Sequence, residues 1–224
     1  MDYSSAMTES STAAHAASPP PARRGRPRKT LQEREESERR AELLQAAARL
    51  FRSQGYDATS TRDIAAAAGM QSGSPFYYFE SKGAMLHAVM QAGMAAVSES
   101  QALLLRQLGR RATGLERLRA LVRHHLAVVV GPDSHFIPVM LYEWRALTPE
   151  QRRDVAKQKD AYEAAWMPAL RRLHRDGQLR ARPEVARLLI FGALNWAAQW
   201  FNPQGPLTLD ELTEQALRLF VHQP

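Results

Sequence analysis

The chain has 224 residues, 45% of them hydrophobic, and a net charge of +7 from 30 Lys plus Arg against 23 Asp plus Glu, which is enough to bury a core and favours a polyanionic partner. It has no cysteine, which excludes disulfides and thiolate-held metals. No apolar run reaches the roughly 18 to 20 residues of a membrane span and no signal pattern opens the chain, so a cytoplasmic location is expected.

Residues 1–30 hold Ser, Thr, Ala and Pro with almost no bulky apolar side chain, too little to offset the entropy of ordering, and read as a disordered basic arm. The arm ends in "ARRGRPRKT", which contains the Gly-Arg-Pro core of an AT-hook. Gly25 lets the backbone hug a groove floor and Pro27 keeps it extended. Arg24, Arg26 and Arg28 can then enter a narrow A·T-rich minor groove. A generic basic tail that adds only salt-dependent affinity is the competing reading.

Alternating Val, Ile and Thr are scarce beyond the arm, while Ala, Leu, Arg, Glu and Gln dominate, which predicts an all-α fold. Leu43, Ala47, Leu50 and Phe51 mark one face of a helix ending near Gly55. In "STRDIAAAAG", Ser60 caps a short helix with Asp63 in capping-box position and Gly69 as its stop. Ser81 caps a long helix through Leu86, Val89 and Met94 toward residue 108. Further helices are predicted from Thr113 to "GPD", through "FIPVMLYEWRAL", from Thr148 and Pro149 to Gly177, through "PEVARLLIFGALNWAAQWF", and through "TLDELTEQALRLFV". Pro168 should kink or pinch the third of these.

Two short helices around a tight turn holding Gly69 have the length and punctuation of a helix-turn-helix. The residues entering the major groove would be Gln71, Ser72, Gly73 and Ser74, small enough for close backbone approach and able to bond base edges. In the run Phe76–Tyr77–Tyr78–Phe79, helical spacing puts Phe79 and Phe76 on a core-sealing face and turns Tyr77 and Tyr78 outward to sugar, phosphate or a thymine methyl.

The ordered motif "TSTRDIAAAAGMQSGSPFYYFESKGAM" resembles the DNA-binding signature of TetR-family (tetracycline-repressor-like) bacterial transcription regulators, over about residues 41–90. The resemblance implies an N-terminal three-helix helix-turn-helix DNA-binding domain (residues 31–84) and a C-terminal helical effector-binding and dimerisation bundle (85–224), acting on double-stranded DNA rather than as an enzyme. It implies that Thr61 and Arg62 meet base or phosphate, that Ser72, Gly73, Ser74, Tyr77 and Tyr78 face the groove, and that Lys82 holds a phosphate. Two residues depart from the pattern. Phe76 stands where a Tyr hydroxyl is usual, and Pro75 stands where an aliphatic residue is usual, which predicts a recognition helix that starts late or is distorted.

The family dimerises through its last two helices, a role that Gly192, Ala193, Ala197, Leu188, Leu189, Leu219 and Phe220 would fill here. A twofold dimer implies a palindromic operator with half-sites about 34 to 36 Å apart or a multiple of that. Residues from about 135 to 222 resemble the subgroup that controls fatty-acid or steroid catabolism and leaves DNA on binding acyl-CoA. That resemblance nominates Met140, Tyr162, Trp166 and Trp196 as pocket wall and Arg145, Arg152, Arg153 and Lys157 as rim. Plain core and solvated faces are the competing readings. Neither a cofactor nor a metal is expected: His124, His125 and His174 lack partners at ligand spacing. Two rival functions stay open. One is a drug-efflux repressor with Glu143 or Glu163 as a buried acid, the other an architectural A·T-binding protein without an effector.

Overall fold

The computed structural model describes residues 30–131 and 135–222, and among these every regular element is helical. The arm, including Arg24, Arg26 and Arg28, lies outside the described residues. Among the described residues ten α-helices follow one another: α1 Leu31–Gln54, α2 Thr61–Ala67, α3 Pro75–Tyr78, α4 Lys82–Leu108, α5 Gly114–Val130, α6 Phe136–Tyr142, α7 Pro149–Ala164, α8 Met167–Arg175, α9 Pro183–Trp200 and α10 Leu209–Phe220. A 3-10 turn, Trp144–Ala146, separates α6 from α7. Among the described residues no helix is long and apolar enough to cross a membrane.

Local chemistry sets most helix starts. Thr30 with Glu33, Ser60 with Asp63, Thr113 with Glu116, Thr148 with Gln151 and Thr208 with Glu211 each form a reciprocal capping box. Each box satisfies amides that the first helical turn leaves without partners. The end of α2 is equally local. Gly69 takes a φ of +67°, and the amides of Gly69 and Met70 fold back on the carbonyls of Ala66 and Ala65 at 3.0 and 2.8 Å, the closing bonds of a Schellman turn.

The first half of α4 packs on α1, burying Met85, Leu86 and Val89 against Leu43, Ala47 and Phe51. From about Gly93 on, α4 crosses α6 and α7. At Gly93 a β-carbon would lie 2.4 Å from the β-carbon of Phe136, so only glycine admits α6 this close to α4. In the rest of the bundle α5 is the central rod, contacted by α8, α9 and α10.

The proline-induced break appears where expected, between α7 and α8, with Pro168 in the first turn of α8. There the Trp166 amide bonds the Glu163 carbonyl at 3.1 Å, a tighter turn that leaves the Tyr162 carbonyl without its usual helical donor. Gln101 of α4 supplies one: its amide donates to Tyr162 O at 3.0 Å and its carbonyl accepts the Trp166 indole N–H at 2.9 Å. Both side chains are buried, so each polar atom needs the other.

The long apolar helix α9 is not covered all round in the single chain. Ile190, Phe191, Leu194 and Ala197 face the core, while Leu188, Leu189, Trp196 and Trp200 are 59%, 62%, 65% and 53% exposed and Leu219 of α10 is 83% exposed. Gly192 has open space above it. Of the residues expected in the dimer seam, Ala197 is buried within its own chain and Phe220 packs on the core. The remaining five, with both tryptophans, form the outer face.

Candidate nucleic-acid interface and effector cavity

The turn before α3 is tightly wound: the amides of Ser74, Phe76 and Tyr77 bond the carbonyls of Gln71, Gly73 and Ser74 at 2.9 to 3.2 Å. Pro75, which has no amide hydrogen, therefore occupies the first helical position, where none is needed. The recognition helix does start late, and it is four residues long. Phe79 leaves it in extended conformation (φ −142°, ψ 130°) and is buried, with the Arg40 guanidinium 4.9 Å over its ring.

That geometry corrects the reading of the aromatic run. Phe76, expected to seal the core, is 58% exposed and borders a surface groove with Thr61, Arg62, Ser72 and Gly73. Tyr77 is exposed as expected, whereas Tyr78 is half-buried and packs on the core, edge-on to Tyr77 at 4.9 Å. Tyr78 and Ser74 border instead a cleft that takes in Gln71 and, on α1, Glu35, Glu38, Arg39 and Glu42.

Lys82 also differs from expectation. Its ammonium donates to the carbonyls of Tyr56 and Thr59 at 2.8 and 2.9 Å and lies 3.5 Å from that of Asp57. It also sits 4.2 Å above the Tyr56 ring. Instead of reaching for a phosphate it gathers the loop between α1 and α2. On the other side of the same loop, the Tyr56 amide donates to Glu143 Oε1 at 3.1 Å, tying the loop to the end of α6.

In the bundle, a groove of about 410 Å³ between α4, α5 and α6 opens to solvent past Gly93, Ala96, Ser100 and Phe136. Through Val97, Val128 and Ile137, common to both, it adjoins an inner cavity of about 50 Å³ lined by Met94, Met140, Leu141 and Phe191 among others. Met140 and Tyr162 line the inner cavity. Trp166 stands behind the wall, fully buried against Phe191 at 4.6 Å between rings. Trp196 points out of the bundle, and Arg145 is exposed on the 3-10 turn and lines neither space.

The polar groups of the inner cavity are residues the sequence does not single out as a set. His125 Nδ1 lies 3.1 Å from the Tyr162 hydroxyl, and His125 Nε2 lies 3.0 Å from Asn195 Oδ1. Glu163, 5% exposed, is paired with Lys159 at 2.9 Å and with Arg187. With Glu163 doubly paired and Glu143 on the Tyr56 amide, neither carboxylate nominated for a cationic drug is free for one. The signal that could have found the set is a His and an Asn at core phase on apolar helices, where a buried polar group requires a partner.

Burial, opposed by the Asn195 bond and helped by the charge of His124, lowers the His125 pKa from 6.5 to about 4. Neutral in the native state, His125 binds its proton more readily unfolded. Its contribution to stability is complete above about pH 6.5 and is lost as the pH falls toward about 4, some 3 kcal/mol in all. His124, also lowered by burial, acts in the same sense, while the cap carboxylates Glu116 and Glu211 titrate below 4.5. Denaturant melts at about pH 7.5 and 5.5 should therefore differ by about 1 to 2 kcal/mol. In His125→Gln that difference should shrink to little more than the share of His124, and an unchanged slope would place the titration elsewhere.

Residues 43–89 match the sequence profile described as "Bacterial regulatory proteins, tetR family", and residues 111–223 match the "Tetracyclin repressor-like, C-terminal domain". The chain is 31% identical over 191 residues to the HTH-type transcriptional repressor KstR2 of Rhodococcus jostii RHA1, covering 82% of this chain and 89% of that one. Among solved structures it is similar to AibR in complex with isovaleryl coenzyme A and operator DNA (29% identity, 81% and 97% of the two chains, TM-score 0.72). It is also similar to a protein described as the superantigen PfiT (37% identity, 83% and 97%, TM-score 0.70). With a capped helix-turn-helix at one end and a helical bundle with an unpaired apolar face at the other, the chain belongs to the TetR family of bacterial regulatory proteins, DNA-binding transcription regulators that act as dimers.

Proposed function

We propose that the protein is a homodimeric repressor, working in the cytoplasm, that leaves a palindromic operator when a CoA thioester of a hydrophobic acyl chain enters its bundle. The observation that carries this reading is the pair of adjoining spaces. The mostly apolar inner cavity beside Phe191 and Tyr162 can take the end of an acyl chain, and the open groove adjoining it leaves room for the rest of the chain and a bulky head. Most small-molecule sites share this plan of apolar walls with a few placed polar groups. AibR, solved with isovaleryl coenzyme A and operator DNA, and KstR2, named as a repressor, support it by likeness.

On the DNA side, Arg62, Thr61, Ser72, Gly73, Ser74 and Tyr77 face the operator in this reading, with Phe76 beside them and Tyr78 supporting from behind. Lys82 acts by shaping the loop. Release requires an effector that prefers the DNA-free arrangement, since equal affinity for both shifts nothing. The test is fluorescence anisotropy of a footprinted operator duplex titrated with acyl-CoAs, free CoA and fatty acids. Acyl-CoAs should lower operator affinity by tenfold or more (about 1.4 kcal/mol of differential binding), and free CoA should not. Release by cationic drugs but by no thioester would replace this reading with the efflux one.

A further inference from the structure

The inner cavity ends in a built polar cluster. An alkyl chain needs only an apolar end wall, yet His125 of α5, Tyr162 of α7 and Asn195 of α9 meet there at 3.0 and 3.1 Å, among Met94, Ile137 and Phe191. Proton counting shows what the cluster can still offer. If the imidazole carries its proton on Nε2, it donates to Asn195 Oδ1 and accepts from the Tyr162 hydroxyl, and both amide protons of Asn195 remain. If the proton is on Nδ1, the ring donates to the Tyr162 oxygen, and a turned Asn195 amide donates one proton to Nε2. The Tyr162 hydroxyl proton and one amide proton then remain. In both arrangements the imidazole leaves Asn195 with at least one N–H to give, beside a cavity large enough for a terminal group of a few heavy atoms.

We infer that this end of the cavity recognises an acceptor oxygen, a ketone or hydroxyl, near the far end of the acyl chain, with Asn195 as donor and His125 and Tyr162 holding it in place. The inference rests on the acyl-thioester reading and narrows it. A neutral oxygen fits better than a carboxylate: Glu163 also lines the cavity and already engages both Lys159 and Arg187, so a second carboxylate would meet an anion whose cations are committed. A plain alkyl end would leave the Asn195 amide against hydrocarbon, the kind of mismatch by which sites built to bond an oxygen reject analogues lacking it.

The test uses the full-length dimer on its operator and three series matched in chain length: hexanoyl- to decanoyl-CoA, the same chains with a ketone on the penultimate carbon, and the same chains ending in a carboxylate. At its best length the ketone series should release DNA at concentrations at least about tenfold below the plain series, with the carboxylate series weakest. Asn195→Leu should erase the preference for the ketone while keeping release by plain chains. The comparison in the unaltered protein stands even if that variant folds poorly. Equal or better release by plain chains overturns this inference alone, as does a preference for the carboxylate. Release by no thioester at all overturns the acyl-thioester reading and this inference with it.

Discussion

Replacing Leu189 with glutamate is expected to turn a dimer into a folded monomer and to lower operator affinity by about two to four orders of magnitude. Leu189 is 62% exposed in the single chain, within a face that includes Leu188, Trp196, Trp200 and Leu219 and that Gly192 leaves open to close approach. Two tryptophans of about 150 to 250 Å² each supply much of the apolar area a stable interface needs. A carboxylate at its centre would be buried without a partner, so the dimer gives way while the chain's own core, formed by the opposite side of α9, is untouched. A monomer holds one half-site and loses the gain from linking two. Sedimentation velocity with anisotropy on full operator and isolated half-site checks this: half-site affinity should stay within about threefold. A dimer with unchanged operator affinity would move the interface to another face.

Trp166→Ala should cost about 3 to 5 kcal/mol of stability, lowering the melting temperature by roughly 6 to 20 °C for a chain of this size. Trp166 is fully buried and packs on Phe191 and His125 at 4.6 and 5.9 Å between ring centres. Its loss also takes the indole donor from Gln101. Trp166→Phe separates the two contributions. It keeps much of the ring contact and removes only the hydrogen bond, so it should cost about 1 to 3 kcal/mol. If the alanine variant melted as the parent does, the Gln101 clamp would not be holding the α7–α8 junction.

Much of the fold was legible because its signals are local. Ser60 with Asp63, Ser81, Thr148 with Pro149 and Gly69 after α2 place their helix ends within a residue or two without reference to any distant contact, whereas α1 starts at Leu31, about ten residues ahead of the apolar periodicity that marks it. The failures came where local spacing was extended past its range. Phe76 and Phe79 would share a face if the helix ran through both, but α3 stops at Tyr78 and the phase is lost one residue before Phe79. Trp196 lies on an apolar stripe as expected, but α9 is apolar on two sides and spacing alone does not say which side is turned inward. Lys82 finds its carbonyls 23 to 26 positions back along the chain, a contact that no helical period encodes. The His125, Tyr162 and Asn195 cluster draws on three helices and became visible only with their packing.

Both grips on Tyr56, from Glu143 at its amide and from Lys82 at its carbonyl, fall on main-chain atoms. Alanine at Asp57 would leave both bonds in place, and alanine at Tyr56 would remove the ring contacts with Lys82 and Phe51 but neither bond. The two side chains that fix how the reading head is carried by the bundle stand 26 and 87 positions away, so a map of mutational sensitivity along this chain would show part of the joint far from the loop it holds.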